Sequence, residues 1–383
     1  MTRVKRPRVQ GYWLLQAIWG LAAAGVLATI PGSTTEASVF GTDQRIPLPD
    51  AMRQTGTKLG VFFDSRSQSV CTAFCVAPDV VVTAAHCLYR TSGEQPLRLT
   101  DLAFKLHGTT TGVKIAGSDE GVPEANVTSG SSRLSVRPPI DATRDWALVR
   151  LAGPACKSGS LRVSARPVHE VMELAEKGRV FNIAYHRDLP KWQPTLGTGC
   201  GVRRNFTDAD WPTIKRDFYD PEQLLLHTCD TGAASSGSPL LIDDDNGPEV
   251  IGINVGTYVQ SKVIMLNGEV LHRFKSDDVA NTGVNAQAFA PRLAAFLASE
   301  TMTSRRQIRR LQDLLADHAI YSGSRDGRYT PDLKLAIERY QRAANMQVTG
   351  FATVDLLQSL SGESQLVTGK ISGARTTAAT GPH

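Results

Sequence analysis

The spacing of the apolar residues changes once along this chain, after Ser304. From Val39 to about Leu297 they come in short runs, many alternating or β-branched, cut by Gly, Pro and Asp-rich turns. Val80-Val81-Val82-Thr83, Trp146 to Leu151, Val180 to Ile183 and Val250 to Ile253 are examples. Such runs predict an all-β barrel or sandwich, closed by a short helix over Pro291 to Leu297. Beyond Ser304, Ile308, Leu311, Leu314 and Leu315 fall at helical spacing, as do Leu333, Ile337, Tyr340 and Ala344. Thr330-Pro331-Asp332 offers an N-cap, a first-turn proline and a first-turn acid. Gly350 ends that segment, and Thr353 caps a last helix through Leu360. At 383 residues the chain is too long for one core. The expected plan is a β domain over 38–300, a three-helix bundle over 304–361 and a loose Gly/Ser/Thr/Ala-rich tail over 362–383.

Residues 1–37 read differently from the rest. A polar, basic start is followed by a largely apolar stretch from Tyr12 to Ile30, then Pro31, Gly32 and Thr35-Glu36-Ala37. This is the tripartite form of a secretory signal peptide. The apolar stretch is also long enough for an uncleaved anchor. Either way the remainder is expected to be secreted or periplasmic, where disulfides form. The net charge of +5 shrinks on this reading, because Arg3, Lys5, Arg6 and Arg8 against Glu36 account for 4 − 1 = +3 and leave +2. That is no basic stripe for a phosphate backbone, so nucleic acid is a poor partner. A composition of 41% apolar and 21% charged residues excludes a wholly disordered or fibrous chain.

Three motifs carry chemistry, in the order His, Asp, Ser. Thr83-Ala84-Ala85-His86-Cys87 follows a β-branched strand, Asp145 opens an apolar strand, and Ser236 lies in the small-residue loop Ala233 to Pro239. A serine hydroxyl becomes a useful nucleophile when a base takes its proton. Histidine titrates near ~6.5 and can accept and return that proton. A buried carboxylate fixes the imidazole tautomer. Each residue alone also has a plain structural reading, as a packed histidine, a turn acid and a turn serine. The seven other histidines show no ligand spacing and the cysteines no paired C-x-x-C motif, so no metal or cofactor is expected.

Thr83-Ala84-Ala85-His86-Cys87, with Cys71 sixteen residues before Cys87, the Asp145 strand and Ser236-Gly237-Ser238-Pro239 together resemble the trypsin-like serine peptidase family. Ser-Gly-Ser-Pro, Val39 to Arg45 and the stretch from Asn281 to Leu297 are similar to its bacterial glutamyl-endopeptidase branch. The resemblance spans about residues 39–298. It implies a chymotrypsin-like double β-barrel with the site between the barrels. It implies His86 as general base, Asp145 as its orienter and Ser236 as the acyl-enzyme nucleophile. The oxyanion hole would be the N–H groups of Ser236 and Ala234. The family usually has glycine at position 234, and alanine resists positive φ. That departure keeps open a catalytically impaired homologue acting as a wall-binding adaptor. Ser235 replaces the aspartate that pairs with a freed N-terminus in trypsin-type zymogens.

For specificity, Asp230 stands six residues before the nucleophile, at the base of the S1 pocket in trypsin-like enzymes. It would favour Arg or Lys at P1; the other reading is an acid bonding its own loop. Asn254 stands where the glutamyl branch has histidine, and a neutral amide beside Asp230 is a poor receptor for glutamate. Val255 and Gly256 would pair with substrate backbone. The resemblance implies Cys71–Cys87 and Cys200–Cys229 bridges, with Cys75 and Cys156 left as a third bridge or two thiols.

Leu311-Gln312, Asp326-Gly327-Arg328-Tyr329, Ala336-Ile337, Tyr340-Gln341 and Val348-Thr349-Gly350 resemble the three-helix peptidoglycan-binding module, with Thr330 and Leu333 departing from its pattern. Nine Lys/Arg and six acids over 305–355 give 9 − 6 = +3, which suits the carboxylates of wall peptides. Ile337 and Tyr340 are expected in the core. The expected protein is a monomeric serine endopeptidase acting on protein or peptide substrates and held on peptidoglycan.

Overall fold

The computed structural model describes residues 38–89, 97–207, 210–244, 247–266 and 269–362; between 260 and 278 the backbone alone is described. The leader expected over 1–37 and the tail from 363 onward lie outside the described residues. Among the described residues, no helix is long and apolar enough to cross a membrane.

Two sheets hold the β region. One has seven strands, in the order Val113–Lys114, Leu102–Leu106, Leu59–Asp64, Val70–Ala77, Val80–Thr83, Ala147–Arg150 and Val127–Ser129. The second runs Arg45–Pro47, Thr195–Gly197, Val180–Ala184, Pro239–Ile242, Glu249–Leu266, Glu269–Asn285 and Leu224–His227, with Arg162–Val163 added parallel to Glu249–Leu266. The remaining pairings are antiparallel.

The β-branched runs lack clean polar alternation because both faces of the central strands are buried. Val81, Cys75 and Val149 point into the core of the first sheet, with Phe62 and Phe104. Their neighbours Val82, Phe74 and Leu148 point the other way, into a core shared with Phe181, Ile183, Leu241 and Ile253 of the second sheet. Leu240 and Ile242 face a third cluster beneath the helix Val168–Glu176. The two sheets are therefore packed together through one continuous layer. The hairpin of Glu249–Leu266 and Glu269–Asn285 pairs from Gly252↔Asn285 to Leu266↔Glu269, well beyond the usual strand length of about 3–10 residues.

The chain ends cross over. Arg45–Pro47, near the N-terminus, pairs with Thr195–Gly197 of the second sheet. At the other end, Arg150 of the first sheet donates to the carbonyls of Phe296 (2.8 Å) and Ser299 (3.0 Å), while pairing with Asp79.

The helical module contains Arg305–Asp317, Pro331–Ala343 and residues 354–362. Each start has a sequence cause. Ser304 Oγ accepts from the Arg306 N–H while the Ser304 N–H donates to Gln307 Oε1, a capping box. Thr330 and Thr353 accept from Leu333 and Leu356 N–H groups. The buried glutamines of the motif fasten its loops. Gln312 Oε1 takes the Gly327 N–H, and Gln341 Oε1 takes those of Thr349 and Gly350. Ile337 and Tyr340 are core residues.

The module is docked rather than tethered. Val122 and Ala125 of the β region share a core cluster with Ile308, Leu311 and Leu315. Asn126 Nδ2 donates to the Met302 carbonyl at 3.0 Å, and the Met302 N–H donates to the Ala352 carbonyl at 2.9 Å. Phe296 meets Phe351 edge-on at 5.4 Å.

Candidate active site

His86 sits in the tight turn Ala85–Cys87, directly after the strand Val80–Thr83. Asp145 follows the turn Ala142–Arg144 and precedes the neighbouring strand, Ala147–Arg150. Because those two strands are paired, Thr83 lies opposite Ala147 and the flanking His86 and Asp145 meet at the sheet end. The contact is two-pronged. His86 Nδ1 lies 2.7 Å from Asp145 Oδ2, and the His86 backbone N–H donates to Oδ1 at 2.8 Å. Both carboxylate oxygens are thus spent on one residue, fixing ring plane and tautomer together. Asp145 is 8% exposed, so water competes little.

The Ser236 loop comes from the second sheet and is bolted to the first. The Thr72 N–H donates to the carbonyls of both Ala234 and Ser236 at 2.9 Å, and Thr72 Oγ1 donates to Ala234 O at 2.8 Å. Gly237 has φ +81°, and a Cβ there would come within 2.3 Å of Thr83 Oγ1, 2.4 Å of Thr72 O and 2.8 Å of Ala84 N. Only glycine fits this approach. The residue after Ser236 therefore packs on the residues leading into His86. Cys71–Cys87 ties the strand carrying Thr72 to the His86 turn.

Ala234 takes φ +80° despite its methyl group. It is the third residue of the turn Gly232–Ser235, closed by a Ser235 N–H to Gly232 carbonyl bond of 3.1 Å. That is the type II pattern, which demands positive φ at this place. The Arg187 N–H holds the Ala233 carbonyl at 2.8 Å. In a trans peptide the Ala234 N–H points opposite to that carbonyl. The alanine thus strains its own backbone rather than rotating the peptide away. Thr72 and Arg187, which grip this loop, carry no sequence motif of their own; Thr72 stands out only as the neighbour of Cys71.

Asp230 is engaged otherwise than a P1 receptor would be. It is 4% exposed, and its oxygens accept from the Phe40 N–H (2.8 Å) and the Gln44 N–H (2.7 Å). Its carboxylate anchors the segment that leads to Arg45–Pro47, so the loop-bonding reading describes its placement. Asn254 is also turned inward, donating to Ser235 Oγ at 3.1 Å. Asn254 Oδ1 and the ring nitrogens of His227 beside it lack a well-aligned partner among the described residues, and burial pushes that ring down to about 4. Past Asn254 the outer edge of its strand is free of the Pro239–Ile242 neighbour. A cavity of about 220 Å³ opens there, bounded by Gly256, Val255, Tyr258, Ile140, Phe218 and Asp145.

Cys200–Cys229 is bridged, and Cys75–Cys156 forms a third bridge that resolves the open pair.

Residues 71–253 match the family model of the trypsin-like peptidase domain, and residues 304–360 match that of a peptidoglycan binding domain. The chain carries a trypsin-like serine endopeptidase domain followed by a peptidoglycan-binding module. The matched region is mainly β and built on two packed sheets, as expected. No curated protein matches the chain. Among solved structures, a Glu endopeptidase in complex with MPD is 16% identical, with a TM-score of 0.42 over 68% of this chain and 97% of that one. A thermostable serine protease, AL20, from an extremophilic microorganism is 15% identical, with a TM-score of 0.39 over 62% of this chain and 95% of that one. The endopeptidase acts on protein substrates, and its wall-binding module and three disulfides suit a site outside the cytoplasm.

Proposed function

We propose that this endopeptidase cleaves peptide bonds by acyl transfer through Ser236. His86 takes the Ser236 proton as Oγ attacks the scissile carbonyl, and Asp145 holds the resulting imidazolium. The N–H groups of Ser236 and Ala234 receive the oxyanion. His86 then protonates the leaving amine, which departs and leaves an acyl-enzyme. Water, deprotonated by His86, attacks that ester, and the proton returns to Ser236. The observation that carries this reading is the two-pronged bond from Asp145 to His86, beside a serine loop packed on the same strand end. Residues 1–37 direct export, and residues 304–361 hold the enzyme at peptidoglycan, where it works as a monomer.

The segment Val255–Gly256 takes substrate as an added strand, with the adjoining cavity receiving an apolar side chain on the acyl side of the scissile bond. The anchoring of Asp230 supports an S1 site without a free carboxylate. The rival reading, an impaired homologue, draws on the strain at Ala234. Casein hydrolysis separates them. Protein from Ser38 onward is expected to digest casein, with Ser236→Ala reducing the rate at least about 1,000-fold. Equal rates for the two would overturn the proposed nucleophile, and an inert, folded parent protein would favour the adaptor.

A further inference from the structure

A second cavity, of about 420 Å³, lies where the module meets the first sheet. The β-sheet side contributes Tyr89, Glu124 and the serines Ser129, Ser131 and Ser132; the module contributes Tyr329, Lys334 and Phe351. Two tyrosines and several hydroxyls line a space that also holds one acid and one base. Opposite charges of the protein act on them without close contact, Glu338 on Lys334 and Arg328 on Glu124. Among the described residues, Glu124 and Lys334 each lack an ion pair within 4 Å, and they do not pair with each other. Burial, aided by the nearby Arg292 cation, holds the Lys334 ammonium below the ordinary lysine range. Partial desolvation beside the cavity wall raises Glu124, against the pull of the Arg328 cation. Arg292 itself lies over the Phe351 ring at 5.0 Å, a second cation beside Lys334. Opposite charges that line one cavity without meeting, Lys334 partly buried and Glu124 open to water, fit a ligand bearing both complementary charges.

The walls of this cavity run to the catalytic pair. Tyr89 is three residues past His86, and its N–H donates to the Ala85 carbonyl at 2.8 Å. Gly130 packs so closely on the Arg144 carbonyl and Trp146 Nε1 that a Cβ would lie within 2.4 and 2.6 Å of them. Those two residues flank Asp145.

We infer that this junction cavity is the wall-ligand site of the protein. It takes a short stem peptide whose carboxylate meets Lys334 and whose free ammonium meets Glu124, between the rings of Tyr89 and Tyr329. The site belongs to both domains, so the wall ligand is held against the segments that carry His86 and Asp145. This inference rests on the wall-binding reading of the module and adds where and by which groups the ligand is bound.

The test uses the chain from Ser38 to His383 with Ser236→Ala, so that nothing is cleaved. Pull-down on purified sacculi reports the wall-binding reading by itself. Calorimetric titration with a soluble disaccharide-tetrapeptide bearing a free amine and free carboxyls reports the site. Lys334→Met keeps the aliphatic stem that packs near Gly350 and removes only the charge; Glu124→Gln is isosteric. Each is expected to weaken muropeptide binding about tenfold or more, with unfolding temperature unchanged. Amidating the peptide's carboxyls is expected to mimic Lys334→Met and to add nothing to it. Sacculus binding with muropeptide affinity untouched by both variants would overturn the junction site and leave the wall-binding reading standing. Absence of sacculus binding in the parent would overturn both.

Discussion

Ala234 shows how one side chain sets the limits of this site. Its φ of +80° is a region where a non-glycine residue costs about 1–3 kcal/mol. Four hydrogen bonds from Thr72, Arg187 and Ser235 hold the turn in that conformation. Ala234→Gly is therefore expected to stabilise the protein by about 1 kcal/mol while keeping or raising its activity. Urea unfolding and casein hydrolysis check this, and a destabilised glycine variant would show the turn to be unstrained. Asp230 gives the complementary case. Sequence order made it a candidate for Arg or Lys binding, but its oxygens are occupied by the Phe40 and Gln44 N–H groups. Asp230→Asn turns one acceptor oxygen into a donor, so one buried N–H loses its partner at a cost of about 1–3 kcal/mol. A P1 peptide library is expected to give the same profile for this variant as for its parent, without preference for Arg or Lys. Selective loss of Arg and Lys turnover would restore the S1 role.

At the level of elements, the Ser236 loop and the His86 turn behave as one unit because Gly237 is wedged between them. Gly237→Ala would drive its methyl group into Thr83 Oγ1 and Thr72 O. A displacement of that loop by about 1 Å is expected to lower kcat/KM roughly 100-fold; near-normal kinetics would show that the loops are not coupled. The bridge Cys75–Cys156, inside the core of the first sheet, closes the longest loop of the three, with a separation of 81 residues. Its removal by Cys75→Ser with Cys156→Ser is expected to cost up to about 4.5 kcal/mol by loop entropy, against about 3 for Cys71–Cys87. Much of this architecture is legible in the sequence. The β-branched runs, the helical spacing after Ser304 and the caps at Ser304, Thr330 and Thr353 all act locally. The motifs around His86, Asp145 and Ser236 are short enough to read as well. What the sequence hides depends on distant packing. Nothing near Asp230 announces Phe40 and Gln44, nothing marks Thr72 as the clamp of the serine loop, and the pairing of Cys75 with Cys156 depends on a whole sheet.

The whole molecule couples its parts through buried groups that no motif marks. Burial holds the rings of His186 and His227 down at about 4, with Arg45 adding to the effect at His186. The unfolded chain binds protons on these histidines near pH 6.5, whereas the fold refuses them until about pH 4. Stability is therefore expected to be level above pH 6.5 and to fall as pH drops toward 4. Each ring contributes a slope of about 1.4 kcal/mol per pH unit within that window. Urea unfolding between pH 7 and 4.5 reads the slope, and His227→Gln should flatten it; an unchanged slope would assign the loss to other groups. The docked module adds a second dependence. A chain ending at residue 303 uncovers Val122, Ala125 and Phe296, which pack against module residues in the intact protein. It is expected to unfold at a lower temperature than the full chain, and equal temperatures would argue against docking. All of the proposed chemistry depends on Ser236 being a nucleophile activated by His86 under the hold of Asp145. Fluorophosphonate labelling followed by intact-mass and peptide mapping tests it most directly. One adduct is expected, on Ser236, lost in Ser236→Ala and strongly slowed in His86→Ala and Asp145→Asn. A folded, leader-free protein that takes no label, or that labels equally without His86, would contradict it.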